Sequence, residues 1–451
     1  MLTFKYGLMK KIQIIYISTF LIITSIVGCS IDEVTDPNTL GIDDVLDGND
    51  IGQINALATG VVATMRNGIG TEATASGTMA RELYLFDADP SNTGALLGKN
   101  GNSLDNNAFY STTQWAGRYA TIKVANLLIQ TVTNSALLSE EERQGYLGYA
   151  KTLQGYEFIQ LLKSYGQARI EVSDPDNLGD FLDFDAAIVQ IKTLLNDAQQ
   201  NLNNAGTSFN FSLPNGFDGF DTPENFLTFN RAILAIAEIY DENGQGALDA
   251  LSTSFLDLNA DLNIGPKHVF GQSNGDAINP VFKIPSLSAE RANNADQIIV
   301  HNSWIRDAES GDLRIEQKVA ERPNPTSQDG LNGTHETRLY ANITTPIDII
   351  RNEELILVYA EANIVTSNFN EAATALNVIR NAYGLPDYSG MLNRDELTAE
   401  MLKQRRYSLW AENHRMFDLR RYGLSETLPI DREEDQIFSI FPIPLVENLD
   451  R

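Results

Sequence analysis

Apolar side chains in this chain recur every three or four residues, in stretches that come two by two. No other feature of the sequence constrains the fold as much. Trp115, Tyr119, Ile122, Ala125, Ile129 and Val132 make one stripe, and Tyr146, Tyr149, Leu153 and Tyr156 the next. Ile188, Ile191, Leu195, Ala198 and Leu202 repeat the pattern, and residues 230–240 are apolar and alanine-rich. In the last third Leu355, Val358, Ala362 and Val365 are followed by Ala372, Leu376, Ile379 and Tyr383. Such spacing puts each set on one face of an α-helix. The Tyr146 stripe follows Ser139-Glu140-Glu141-Glu142, acids where a helix N-terminus favours them. Gly384 and Pro386 stop the Tyr383 stripe, and a last helix is expected over residues 394 to about 412. No pair encloses a core alone, so pairs must stack, with alanines where two helices cross closely. The expected fold is mainly α: tetratricopeptide-like helix-pair repeats forming a scaffold, although the repeat consensus itself is absent.

Between the helical blocks lie segments without helical period. Residues 66–114 and 205–224 are rich in Gly, Asn, Ser and Asp, and residues 259–347 mix turns with short β-like runs at 281–284 and 297–300. These are expected to be long loop-rich insertions with a few short strands. Loops of such length in a compact protein are usually functional or disordered. They carry Tyr84, Phe86, Tyr110, Phe217, Phe220 and Trp304.

The N-terminus has a different character. Residues 10–29 read KKIQIIYISTFLIITSIVGC: two lysines, an apolar run, then Gly28 and Cys29. The run is shorter than the ~20 residues a helix needs to cross a bilayer. Its basic front and apolar middle fit a secretory signal. Cys29 is the only cysteine, so no intramolecular disulfide can form, and its position resembles a bacterial lipobox, where the cysteine is acylated and becomes the new N-terminus. An ordinary signal peptide ending in a stray cysteine is the other reading. Residues 1–8 add nothing to the signal, so either Met1 or Met9 can be the start. Residues 1–28 are expected to be a lipoprotein signal peptide and 29–50 a lipidated, acidic tether. Residues 51–451 then form a single domain, with 51–260 an N-terminal helical-repeat part and 261–451 a C-terminal part.

The 451 residues carry a formal charge of −27, and the three lysines before Cys29 leave −30 on the rest. Nucleic acid is thereby excluded as an expected partner, because phosphate binding needs a basic field. A hydrophobic share of 43% is ordinary for a folded chain, so the acidity does not signal disorder.

Catalytic patterns are missing. His268, His301, His335 and His414 are dispersed and form no metal-binding spacing, and no G-x-S-x-G elbow or cysteine nucleophile occurs. Gly68-Ile69-Gly70 with Ala73 matches G-x-G-x-x-A in spacing, but it follows a helical rather than a strand-like stretch. Asp257, Asn259, Asp261 and Asn263 alternate like the start of a calcium loop. Leu262 stands where that loop needs glycine and His268 where it needs glutamate, so a solvated turn competes with a calcium site. With 60 acids in the chain, chance carboxylate pairs carry little weight as a glycosidase signature. No cofactor is expected.

Several segments in order resemble the SusD/RagB family of outer-membrane nutrient-binding lipoproteins of Bacteroidetes. ARELYLFDADP, starting at Ala80, resembles a segment of one branch, and the stretch from Trp115 through Tyr119 and Ile122 to Asn126 its first helical signature. Leu161-Leu162-Lys163-Ser164-Tyr165-Gly166 resembles the end of the next helix, though Gln167-Ala168-Arg169 replaces the usual acid and proline. The C-terminal block is the most specific. It runs from Arg351-Asn352-Glu353-Glu354-Leu355 through Tyr359-Ala360-Glu361-Ala362, Leu376-Asn377, Ile379-Arg380 and Arg405-Arg406. It closes with Arg415-Met416-Phe417-Asp418-Leu419-Arg420-Arg421, Phe441-Pro442-Ile443-Pro444 and Glu447. Read physically, Glu354, Glu361, Arg380 and Arg421 offer charges to pair where helices meet. Tyr359, Tyr383, Trp410 and Phe417 are spaced to fill a core, as are Trp115 and Tyr119 in the first stripe.

The resemblance implies a lipid-anchored protein on the outer face of the outer membrane. It would bind a glycan, or a peptide, and deliver it to a SusC-like TonB-dependent transporter without breaking bonds. An oligosaccharide site needs flat aromatic faces, with amides and carboxylates around them. Tyr84, Tyr110 and Trp304 are the candidate platforms, with Asp87, Asn107 and Asn302 as nearby polar groups. A surface glycan hydrolase and a helical-repeat scaffold for protein partners are the competing readings.

Overall fold

The structure is a computed structural model that describes residues 46–174, 176–284 and 296–448. The signal segment and Cys29 lie outside the described residues. The chain is already held at residues 46–50, which the sequence suggested as tether: Asn134 Nδ2 donates to the Leu46 carbonyl at 3.1 Å and Ser135 Oγ to that of Gly48 at 2.6 Å.

Helices dominate. The first three are α1 (Ile51–Thr64), α2 (Ile69–Met79) and α3 (Phe109–Asn134). They are followed by α4 (Glu140–Tyr165), α5 (Phe184–Asn203), α6 (Pro223–Tyr240) and α7 (Gly244–Leu251). Local chemistry fixes their ends. Ser139 and Glu142 form a reciprocal capping box at the start of α4, and Gly166, left-handed at φ +68°, ends it. Asp183 caps α5 through the Ala186 N–H, and Thr222 caps α6 ahead of Pro223. Tyr146, Tyr149 and Leu153 are fully buried, as the stripe requires. The close crossing of α4 and α5 is made by glycines rather than the expected alanines. A Cβ on Gly148 would stand 2.6 Å from Leu202 Cγ, and one on Gly155 2.6 Å from Leu195 Cδ2.

The C-terminal block repeats the motif with α8 (Asn302–Arg306), α9 (Arg314–Lys318), α10 (Asn352–Val365) and α11 (Phe369–Ala382). It ends with α12 (Arg394–Ser408) and α13 (Arg415–Arg421). α12 stops four residues short of the expected end because the chain turns sharply, with Ala411 and Asn413 left-handed at φ +62° and +57°. A second apolar cluster joins α10, α11 and α12 around Ile356, Leu376 and Met401.

The loop-rich segments differ most from expectation. Residues 66–114 contain α2, which is buried on nearly every side and so shows no stripe. They also contain the strand β1 (Leu83–Phe86). The four-stranded antiparallel sheet is completed by β5 (Gln297–Val300), β6 (Val319–Gln328) and β7 (Leu331–Thr337), in the order β1-β5-β7-β6. The edge strand β6 carries Pro323 and Pro325 where its pairing slips between Glu321 and Thr326, which an edge tolerates. Two minor pairs join β2 (Gln167–Ala168) to β3 (Leu182–Asp183) and β4 (Lys267–His268) to β8 (Ile347–Asp348). Residues 281–284, expected to be strand-like, instead leave a turn in which Asn279 Oδ1 accepts from the N–H groups of Val281 and Phe282. Among the described residues no helix is long and apolar enough to cross a membrane.

Candidate functional site

The three expected aromatic platforms lie in the interior. β1 alternates its side chains, so Leu83 and Leu85 enter one apolar cluster and Tyr84 and Phe86 another. Tyr84 is 3% exposed, stacked on Phe86 at 5.7 Å and tilted against His301 at 5.3 Å. Tyr110 is 1% exposed, and its hydroxyl accepts the Asp105 N–H at 2.9 Å. Trp304 is fully buried against Tyr407 and Trp410. None offers a face to a sugar ring, which corrects their expected role: Tyr84 and Trp304 pack around the sheet, and Tyr110 packs into the main helical core. The polar companions remain near the surface. Asn302 and Asn107 are exposed, and Asn302 Nδ2 donates to the Asn332 carbonyl at 3.0 Å. Asp87 is half-buried and closes a turn by accepting from Asp89 N and Asn92 Nδ2. The β1–β5 pairing brings Tyr84 close to His301 and Asn302, whereas Trp304 belongs to a different cluster.

Two other constellations have local explanations. Asp257 and Asp261 accept from the N–H groups of Asn259 and Asn263, two residues on, so the alternating acids make Asx turns. Ser303, His301 and Asp431 stand in the order of a proton relay. Ser303 Oγ is 2.8 Å from His301 Nδ1, and His301 Nε2 is 2.9 Å from Asp431 Oδ1. Ser303 is 3% exposed, however, and its hydroxyl is engaged by Arg406 Nη2 at 2.9 Å, so the relay is closed off from a substrate. His301 instead caps α8, accepting the Ser303 N–H at 3.0 Å.

An open cleft of about 1140 Å³ lies between α5, α6, α10, α12 and α13. Its floor is a cation held among rings. The Arg421 guanidinium lies 4.8 Å from the centre of the Tyr240 ring, 5.5 Å from Phe417 and 5.2 Å from Tyr422. Arg421 Nη2 meets Glu361 Oε1 at 2.6 Å, and the Tyr422 hydroxyl donates to the same oxygen at 2.7 Å. Burial works against the Arg421 charge, but Glu361 and Asp418 more than offset it and hold the pKa above its ordinary value. Burial, then Glu361, pushes the Tyr422 phenol up. Arg421 therefore stays a cation and Tyr422 a neutral phenol at any physiological pH. The pairing of Glu361 with Arg421 is as expected from their types, while Arg380 pairs with Glu309 at 2.7 Å and Glu400 at 2.5 Å.

Two rings, Phe184 and Tyr422, line the cleft half-buried, and Asp185, Glu242, Arg394 and Asp395 stand exposed along it. Arg394 also donates to the Val365 carbonyl at the end of α10, at 2.9 Å. Arg420, its pKa lowered to about 10 by burial, satisfies the last carbonyls of α4 at 3.0 Å each. The arrangement can offer aromatic faces, carboxylate acceptors and guanidinium donors to an extended polar ligand. The volume exceeds the roughly 300–1,000 Å³ usual for small-molecule pockets. Sequence reading missed this cleft because five helices distant in sequence build it. The available sign was Phe184, which extends the Ile188–Leu202 stripe one turn beyond its cover.

Residues 324–439, about a quarter of the chain, match the SusD family. No curated sequence matches the chain significantly. Solved structures share the fold over most of its length. A SusD superfamily protein from Bacteroides vulgatus has a TM-score of 0.67 at 18% identity, covering 89% of this chain and 97% of its own. Surface glycan-binding protein A from Bacteroides thetaiotaomicron has a TM-score of 0.66 at 13% identity, with 89% and 97% covered. A laminarin-binding SusD-like protein has 0.63 at 17%, again with 89% and 97% covered. Its C-terminal segment thus matches the SusD family, and its described body shares the fold of SusD superfamily structures.

Proposed function

We propose that the protein is a surface glycan-binding lipoprotein of the outer membrane. It holds an oligosaccharide in the open cleft and hands it unchanged to a TonB-dependent transporter of the SusC type. The likeness in fold to proteins named for glycan and laminarin binding supports the ligand class. The observation that carries the site is the cleft's pair of half-buried rings, Phe184 and Tyr422, beside exposed carboxylates and a guanidinium. Sugar rings stack on such faces, and carboxylates take their hydroxyls. A protein that must release its cargo suits a Kd on the order of micromolar to millimolar, about −8 to −4 kcal/mol.

A glycan array on the purified body, then calorimetry on the hit, tests this reading. Phe184→Ala is expected to weaken binding about tenfold, because an aromatic contact contributes ~0.5–1.5 kcal/mol beyond burial. Asp395→Ala should weaken it less. Unchanged affinity in both variants would remove the cleft as the site. Progressive shortening of the glycan by the pure protein would favour the hydrolase reading instead.

A further inference from the structure

A second cavity, of about 70 Å³, lies inside the body where the N-terminal helices meet the C-terminal block. Its lining is charged, unlike the dry apolar voids that stay empty in protein cores. Lys163 on α4 and Glu354 on α10 face it, 2% and 5% exposed. Among the described residues Lys163 Nζ makes one hydrogen bond, to Gln160 Oε1 at 3.1 Å, although an ammonium has three hydrogens to donate. Among the described residues the Glu354 carboxylate accepts none; the nearest basic group is the neutral His414 Nε2 at 3.8 Å, too far for a hydrogen bond. Two more lining residues, His268 and Asn413, carry buried atoms without a partner, Nδ1 and Oδ1. Leaving such groups unmet costs about 1–3 kcal/mol apiece, more when charged.

The charges of the lining select the occupant. Arg118, Lys163 and Arg351 oppose a further cation, while Glu72, Asp348, Glu354 and Glu412 oppose an anion. Both histidines are neutral: burial, then nearby cations, brings His268 down to about 3 and His414 well below its ordinary value. What fits is a neutral ligand that both donates and accepts. We propose that the cavity binds a cluster of ordered water molecules, about five to seven at ~10–15 Å³ each, which bridges Lys163 to Glu354 and so joins the two parts of the body. Burial lowers the Lys163 pKa to about 8 and raises that of Glu354, as expected for charges that do not touch directly.

An atomic-resolution crystal structure of the mature protein tests the proposal. It should show water density within hydrogen-bond reach of both Lys163 Nζ and the Glu354 carboxylate. A dry cavity, a direct Lys163–Glu354 contact or a bound ion would overturn it. Lys163→Met, Glu354→Gln and the double variant should be compared by urea unfolding. The double variant is expected to lose about tenfold less in the folding equilibrium than the two single losses combined. Additive losses would overturn the bridge. Should a single variant not fold, the crystal structure of the native chain still decides.

Discussion

Glu82 closes the turn after α12, and its protonation sets how firmly. It is 1% exposed; Oε2 accepts the Ala411 N–H at 3.4 Å and Oε1 has no partner. Burial raises its pKa to about 7, although Arg415, the Ala411 N–H and Arg406 pull the other way. Below pH 4.5 the carboxyl is protonated in both folded and unfolded chains and contributes nothing to the pH dependence. Between 4.5 and 7 only the unfolded chain releases the proton, so stability falls as pH rises through that window and levels off above it. The loss is on the order of 3 kcal/mol. Glu82→Gln should flatten this limb, as read by thermal unfolding between pH 4.5 and 7.5; an unchanged slope would mean that other groups carry it. The same residue shows why aromatic roles were misread. ARELYLFDADP looks like a polar loop with stray rings, yet the Glu82 carbonyl accepts from His301 N at 3.0 Å and Trp410 Nε1 at 3.1 Å. Those long-range bonds draw Tyr84 and Trp304 inside, and no local spacing announces a partner more than two hundred residues away.

Among the elements, helices such as α5 and α11 were legible because each buries one stripe and exposes the rest, so the period survives in the sequence. α2 has no exposed side to contrast with and was not legible, and β6, interrupted by two prolines, lacked the alternation of a strand. Nor does composition distinguish a glycine that frees a turn from one that lets helices touch. Gly155 and Gly60 are both helical, yet their surroundings differ. A Cβ at Gly155 would meet fully buried Leu195 at 2.6 Å, while one at Gly60 would rest 3.4 Å from Val124 Cγ1. Alanine improves helix propensity by ~1 kcal/mol at either site, but overpacking costs ~1–3 kcal/mol where nothing can yield. Gly155→Ala is therefore expected to destabilise by up to about 2 kcal/mol and Gly60→Ala to stabilise by up to about 1 kcal/mol. Urea unfolding of the two variants would check this, and stabilisation by both would show that α4 and α5 can separate slightly at no cost.

At the scale of the whole molecule, the proposed attachment to a membrane has to be reconciled with the charge. From Cys29 onward the chain carries −30, so an anionic lipid surface repels it, and no described helix can span a bilayer. Acylation of Cys29, as proposed, would hold such a chain on the membrane. The argument is electrostatic as well as chemical. Attachment through protein charge would weaken in high salt, where exposed charges are screened. Acyl chains hold by about 0.8 kcal/mol per buried methylene, and two or more chains are needed for lasting attachment. We therefore predict that the native protein stays in the outer-membrane fraction through a high-salt wash and enters solution only with detergent. Cys29→Ala should appear in the soluble fraction without any wash. If that variant stays on the membrane and salt releases it, a protein partner rather than lipid holds the chain. If it stays through salt as well, the apolar run before Cys29 has been retained as an anchor.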